Sequence, residues 1–439
     1  MPQHLDHHVS DSTETSRCPH HSTAVDLLAP DALDNPFPAY ERLRRDQPVS
    51  YAEDLGLWLV SRYDTCEQVL MNPADFSSRD SVSRTNPYRG CPAALAVLRT
   101  SKIYPRTRTL VVTDPPEHRR HRKALVSSLA LRSALPTLRP QIQEIVDELI
   151  DDFIGVGEVE FVEQFAYPLP MRVIALFLDV PHTELRMLKR WSDSFLAAQA
   201  ANVDDDALVE ASHSVLEFEA YFLAKIHDRR SLGQTDFLGR LVSWTDDDGV
   251  GLSNGELLSL LTQTLVGGNE STRNFLGSAL HLILTEPGLH TTLATDTTRI
   301  AAFIEEAIRL ESPLQGLYRT ATREIELEGQ IIPEGARLMV MFGSANRDES
   351  RYDNSFDLDR NLTENPHLAF GRGIHACVGQ SLARLESQLA FETLLRRLPN
   401  LRLADRFRND HVPLYGVRGL QRLDLSFVAD PAAEGTAAR

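Results

Sequence analysis

Cysteine is scarce in this chain, basic residues are outnumbered by acidic ones, and long apolar runs are missing. The 439 residues hold only Cys18, Cys66, Cys91 and Cys377, with no CxxC pair among them. So few, so scattered, they form no disulfide framework and fit a reducing cytoplasm. No run of about twenty apolar residues occurs, and no charged stretch leads into an apolar one near the start. The expectation is a cytoplasmic protein, neither exported nor anchored in a membrane. Lys and Arg number 45 against 62 Asp and Glu, a formal net charge of −17, which argues against nucleic acid as a general partner. Neither an internal repeat nor an abrupt shift of composition divides the chain. Length alone suggests two or three domains, but the pattern reads as one domain over 26–428, flanked by a disordered tail at 1–25 and a frayed tail at 429–439. The first tail carries His4, His7, His8, His20 and His21 beside Cys18, and nothing there fixes a metal-ligand geometry.

What is present is an ordinary globular composition, 42% hydrophobic and 24% charged, with ample core. Its most specific stretch is Phe370-Gly-Arg-Gly-Ile-His-Ala-Cys-Val-Gly379, running into an apolar-periodic segment with Leu382, Leu385, Leu389 and Leu394. The pattern predicts a glycine-pinned loop feeding a helix, with Cys377 at the helix N-terminus. Unpaired backbone N–H groups and the positive end of the helix dipole favour thiolate there. Gly371, Gly373 and Gly379 suit tight turns or the close approach of a flat ligand. A lone anionic sulfur under a planar cofactor suits iron.

Upstream, Ser253-Asn-Gly-Glu256 is a capping box before a long apolar run whose centre reads Leu265-Val-Gly-Gly-Asn-Glu-Ser-Thr272. Adjacent glycines inside a helix cost about 1 kcal/mol each relative to alanine. Ser271 and Thr272 each stand four residues after a glycine, so either hydroxyl can bond back one turn and bend the helix. A local opening beside Glu270 is the expected product. Asp114-Pro-Pro-Glu117 predicts another helix start, with Asp114 as N-cap. On that helix His118 and Arg122 share a face suited to a pair of carboxylates, while Arg119, Arg120 and Lys123 point elsewhere. Residues 79–108 predict a long irregular connection, 325–342 the strands of one small sheet turning at Pro333–Gly335, and 413–427 another strand pair.

The cysteine loop, together with the glycine pair and the Glu306-x-x-Arg309 motif with Arg360, closely resembles the cytochrome P450 family across about residues 35–428. The resemblance implies a mainly α fold with small β-sheets, triangular around a buried haem b (iron protoporphyrin IX). Cys377 would be the axial ligand. Phe370, Gly371, Gly379 and Gly268 would line the cofactor, and His118, Arg122, Arg319 and His375 would hold its propionates. Glu306, Arg309 and Arg360 would support the loop. Glu270 with Ser271 or Thr272 would relay protons, although Ser271 stands where the family usually has threonine. The implied activity is insertion of one atom of O2 into a small hydrophobic substrate, by hydroxylation or dealkylation, in a protein expected to be monomeric. Electrons would come from a ferredoxin and its reductase, docked at the basic face around Arg119, Arg120, Lys123 and Arg372. Candidate substrate contacts are Leu265, Val266, Leu314, Leu317 and Val417, with walls near Phe195 and Phe222. A peroxide-driven or oxidative-coupling enzyme, or a non-catalytic haem-binding sensor, are the rival readings.

Overall fold

The computed structural model describes residues 25–82, 87–103, 105–197, 203–233, 235–353 and 355–429. The histidine-rich segment, Cys18 and nearly all of both expected tails lie outside them. Helices dominate, with sheets of five, three and two strands among the described residues. The five-stranded sheet comprises β1 (Val49–Ala52), β2 (Leu57–Val60), β3 (Phe76–Ser77), β4 (Leu317–Ala321) and β5 (Arg337–Val340), in the order β1-β2-β5-β4-β3. Only β2 and β5 pair in parallel, with Leu59 opposite Met339. Leu57, Leu59 and Val60 are fully buried, because helices or loops cover both faces there.

Five helices set the architecture around the site: α1 (Glu117–Leu129), α2 (Asp205–Leu232), α3 (Asn254–Thr285), α4 (Ile300–Glu311) and α5 (Gln380–Arg397). The 32-residue α3 is about 48 Å long at 1.5 Å per residue. It starts at a complete capping box, with the Glu256 N–H donating to Ser253 Oγ (3.3 Å) and the Ser253 N–H to Glu256 Oε2 (2.8 Å). It stops at Thr285, ahead of Pro287, which cannot continue a helix. Leu257, Leu258, Leu260, Leu261 and Phe275 of α3 pack in the main core with Leu389, Phe391 and Leu394 of α5. Full burial of each such side chain contributes about 1.5–3 kcal/mol, so α3 and the helix that follows the cysteine loop are locked together through the core.

Several local expectations are corrected. Residues 79–108 contain a helix at Pro92–Leu98, started by Pro92 at its first turn and capped by Cys91 Sγ accepting from the Ala94 N–H (3.4 Å). Asp114 does not cap α1, whose N-cap is Pro116. Its carboxylate instead accepts from Ser77 Oγ (2.6 Å) and the Ser78 N–H (2.8 Å), donors offered by β3 and the residue after it. Residues 325–342 divide between two sheets: Ile325–Leu327 pairs with Gln330–Ile332 about a turn at Glu328–Gly329, and β5 joins the larger sheet. Within 413–427 only Asp424–Ser426 forms a strand, and it pairs with Glu158–Glu160 and Arg402–Leu403. These partners are too distant in sequence for local alternation to reveal.

Candidate active site

The cysteine loop is built by short backbone bonds. The Cys377 N–H donates to Phe370 O (2.8 Å) and the Gly371 N–H to Leu368 O (2.8 Å), folding the strand of glycines back on itself. Gly371 and Gly373 both have φ of +67°, and a Cβ on Gly373 would fall 2.8 Å from Leu70 O. Gly373 therefore answers a tight turn and a close backbone approach, not a flat ligand. Gly379 is the N-cap of α5 at φ −86°. A Cβ there would meet only Cys377 Sγ, at 4.0 Å.

Cys377 is exposed to a water-sized probe, yet burial is the largest influence on its thiol and raises its pKa. The backbone N–H groups of Gly379 and Gln380 and the guanidinium of Arg122 pull the other way. The helix terminus acts in the expected direction, but burial outweighs it. The thiol is thus open to a small probe on one side while protein crowds it on the others.

On α1, His118 is 2% exposed and its ring lies 4.1 Å from that of His375. Arg122 Nη1 donates to Ala376 O (2.8 Å). Arg319, in β4, is buried, and its Nη1 donates to Tyr318 O (2.7 Å). Burial, then the neighbouring positive groups, push His375 down to about 3, and burial with Arg122 pushes His118 down to about 4. Nε2 of both histidines is buried without a hydrogen-bond partner. Each such orphan costs about 1–3 kcal/mol. Donors gathered this way and left short of acceptors fit the acidic edge of a haem, and the nearby sulfur fits its iron.

Helix α3 supplies the other wall. It stays helical through Gly267 and Gly268. An opening lies in the side-chain layer. A Cβ on Gly268 would fall 2.4 Å from Ile174 Cδ1, whereas one on Gly267 meets nothing within 4 Å. Gly268 lets the helix Pro168–Leu178 pack close, and Gly267 faces open space. Ser271 Oγ donates to Gly267 O (3.2 Å) on that same open face. Thr272 is 6% exposed, turned into the protein. Glu270 accepts from Arg273 Nη1 and Asn274 Nδ2, both at 3.2 Å. Of the expected substrate contacts, Leu265 is fully buried in the main core together with Phe195 and Phe222, and has no area left for a ligand. Val266, Leu314, Leu317 and Val417 are half-buried, and Leu314 bridges to Val417.

Behind the loop, Glu306 and Arg309 are 1% and 0% exposed. Arg309 Nε and Nη2 grip Glu306 Oε2 and Oε1 at 2.8 and 2.7 Å, and Arg360 Nε reaches Oε1 at 3.2 Å. Arg309 Nη1 donates to Asn346 O (2.7 Å), and Asn346 Oδ1 accepts from the Leu368 N–H (2.6 Å) at the mouth of the cysteine loop. Sequence reasoning missed Asn346, for which no local signal exists. It also missed Arg384, which stands 4.4 Å over the Phe370 ring and pairs with Glu305 (2.5 Å). Arg384 could have been found one turn into α5, on the face of Gln380. The basic face of α1 is less free than expected. Arg120 pairs with Asp246 (3.0 Å) and Glu256, Lys123 with Asp247 (2.6 Å), and Arg372 with Glu67 (2.9 Å). Arg119 alone of the four is exposed with no ion pair among the described residues.

Comparison with known proteins agrees with this geometry. The family model described as Cytochrome P450 matches residues 208–399. The putative cytochrome P450 YjiB of Bacillus subtilis is 33% identical over 390 residues, 88% of this chain and 93% of that protein. The monooxygenase PikC of Streptomyces venezuelae is 33% identical over 382 residues, 86% of this chain and 87% of that one. The solved structure of CYP109Q5 from Chondromyces apiculatus superposes with a TM-score of 0.81 at 30% identity, covering 93% of this chain and 99% of that one. The mainly helical fold with small sheets is that of P450 crystal structures. The chain belongs to the cytochrome P450 family, whose members are haem-thiolate monooxygenases.

Proposed function

We propose that this monooxygenase binds haem through Cys377 and oxidises a hydrophobic organic molecule held between Gly267 of α3 and the cysteine loop. The observation that carries the reading is the pairing of an accessible but deeply placed sulfur with buried, acceptor-starved donors at His118 and His375. Arg122, Arg319, His118 and His375 would hold the propionates, and Phe370 with Gly371 would lie against the ring. The bound haem supplies O2 activation and O–O cleavage.

The chain's own residues position the substrate and the protons. Gly267 leaves room on the α3 wall, and Val266, Leu314, Leu317 and Val417 exclude water there. Ser271 is the hydroxyl suited to deliver a proton, because it lies on the open face while Thr272 does not. Glu270, steadied by Arg273 and Asn274, is a carboxylate one residue away that can recharge it through water. PikC, the mycinamicin IV hydroxylase/epoxidase and the steroid C26-monooxygenase are similar over most of this chain, which supports a small organic substrate here too. A separate ferredoxin with its reductase would deliver the electrons. Arg119 is the best-placed unpaired cation for docking, and its contribution should fade as salt rises.

The test is turnover of the haem-loaded protein with a ferredoxin system. Cys377→Ala should remove the thiolate signature of the ferrous–CO spectrum and all product. Ser271→Ala should lower turnover to product about 100-fold, the low end of what one general acid contributes, while Thr272→Ala changes it little. Equal effects at both hydroxyls would exclude the assignment. A second reading, peroxide-driven chemistry, is favoured by Ser271 standing in place of threonine. It predicts faster turnover with peroxide than with the ferredoxin system.

A further inference from the structure

The Leu314–Val417 bridge belongs to a larger unit. Residues 410–421 double back on themselves: the Val412 N–H donates to Gly419 O (2.9 Å), the Gln421 N–H to Asp410 O (3.0 Å), and His411 bridges to Leu420. This hairpin lies alongside residues 313–315, with the Gln315 N–H on Gly416 O (2.8 Å) and the Arg418 N–H on Pro313 O (3.0 Å). Leu314 and Val417, directly opposite each other, share one face of that ladder. Gly419 lies on the same face, two residues on, and a Cβ there would fall 2.3 Å from Asn274 Oδ1 on α3. Gly267, Ser271 and Asn274 follow one another at steps of four and three, so they share one side of α3. The hairpin therefore meets the open side of α3 about one turn beyond Ser271.

Arg418 stands between Val417 and Gly419 and points from the opposite face. Its Nε donates to Glu311 Oε2 (2.8 Å) at the C-terminal end of α4, and its Nη1 to Asp34 O (3.0 Å) at the end of the short helix Pro30–Asp34. The guanidinium lies 4.7 Å from the centre of the Phe37 ring. His411 adds a second tie, its Nδ1 3.0 Å from Asp34 Oδ1. Phe37 and Tyr415, a residue of the hairpin, pack in one apolar cluster with Leu27 and Tyr40. Arg418 and Glu311 are mostly buried, whereas the Asp34 side chain is half-exposed. The tie to α4 is thus the deep one, and the tie to the N-terminal segment the shallow one. Arg418 makes its contacts on the far side of the hairpin from Val417, so it can set the position of that wall without touching a substrate.

We propose that Asp34 and Arg418 are positioning residues: they clamp the 410–421 hairpin and so fix how far Leu314 and Val417 stand from the Ser271 wall. A substrate space closed by a hairpin otherwise widens and narrows with the hairpin's own opening. This rests on the monooxygenase reading of that wall and adds the residues that set its width. The segment 30–37, distant in sequence from every motif of the site, becomes part of the apparatus of substrate selection.

The haem-loaded full chain carries the test, with hydrogen exchange as one readout and imidazole and 4-phenylimidazole as probes for the other. Both probes bind haem iron through nitrogen and shift its absorption, but only the second extends a further ring into the substrate space. Asp34→Ala should speed exchange at the Val412, Val417, Arg418 and Gln421 amides about threefold, the scale of a half-exposed ion pair. The double variant R418M/E311Q removes the deep tie without orphaning a carboxylate and should speed it about tenfold, since a hydrogen bond to a charged group is lost. In both variants exchange along α3 should stay at the wild-type rate. Affinity for 4-phenylimidazole should change about threefold while that for imidazole stays within about twofold, a split that general loss of stability does not produce. Unchanged exchange in either variant, equal shifts for both probes, or faster exchange throughout α3 would overturn the proposal. If R418M/E311Q does not fold, Asp34→Ala, at its half-exposed site, decides by the same two readouts. The wild type separates this from the reading beneath it: no absorption shift with imidazole removes the haem site, whereas normal shifts with exchange unmoved by the substitutions remove only the clamp.

Discussion

Replacing Glu306 by glutamine tests whether the buried ion network is what holds the cysteine loop. Glu306 and Arg309 are 1% and 0% exposed and bonded at two points. Glu306 Oε1 also accepts from the Asp357 N–H (3.0 Å) and Arg360 Nε (3.2 Å). Glutamine keeps the shape, removes the charge, and turns an NH2 toward a guanidinium or another donor. Breaking a buried pair from one side leaves an uncompensated charge and destabilises by about 3–5 kcal/mol. For 439 residues the unfolding entropy is about 0.9 kcal/mol/K, at about 2.1 cal/mol/K per residue. The expected fall in Tm is therefore about 3–5 °C. Calorimetry of the haem-loaded protein measures it, and haem loss during the scan should begin earlier than in the wild type, since Arg309 reaches the loop through Asn346 and Leu368. The double variant E306L/R309M removes both charges and should recover at least half of the lost stability. A Tm within 1 °C of wild type for Glu306→Gln, or a double variant worse than the single one, would refute the reasoning.

The two glycines of α3 should separate cleanly. Gly267→Ala meets no protein atom and should add about 0.5–1 kcal/mol of helix stability while narrowing the substrate space, so Tm rises as turnover falls. Gly268→Ala drives its methyl into Ile174 and should lose about 1–3 kcal/mol from overpacking, partly offset by helix propensity, with Tm falling in a denaturation series. For pH, His118 and His375 have folded pKa values of about 4 and about 3, below the ordinary value near 6.5. The unfolded chain then binds more protons between those values, so stability is full above about pH 6.5 and is lost as pH falls through 4 toward 3. Propionates beside the two rings would raise both values, so the haem-free protein should lose stability in acid more steeply than the loaded one. Equal slopes in unfolding titrations would contradict the propionate assignment.

The cysteine loop, the capping box of α3 and the Glu306–Arg309 pair were legible because each is written in contiguous residues or in one helical turn, whereas Arg360, far along the chain, came only with the family resemblance. Chemistry at those sites needs particular residue types at fixed spacing, and spacing survives in sequence. What was not legible depends on partners far along the chain. Arg120 carries the same charge as Arg119 and sits beside it, yet its guanidinium is spent on Asp246 and Glu256, and no periodicity on its own helix marks that. Asn346 has the composition of any loop residue until the Leu368 N–H arrives at its side chain.

The adjacent glycines show the limit most sharply. Both lack a side chain, and one residue step along the helix separates their directions by about 100°. One therefore serves packing against Ile174 and the other opens the site, a division only the neighbouring helix decides. The same rotation separates Ser271 from Thr272: the serine follows Gly267 by one turn onto the open face, and the threonine follows Gly268 into the core. A threonine moved by one position along α3 is thus no substitute for one in register. The wall's chemistry is set by where the helix points each hydroxyl, not by how many it carries.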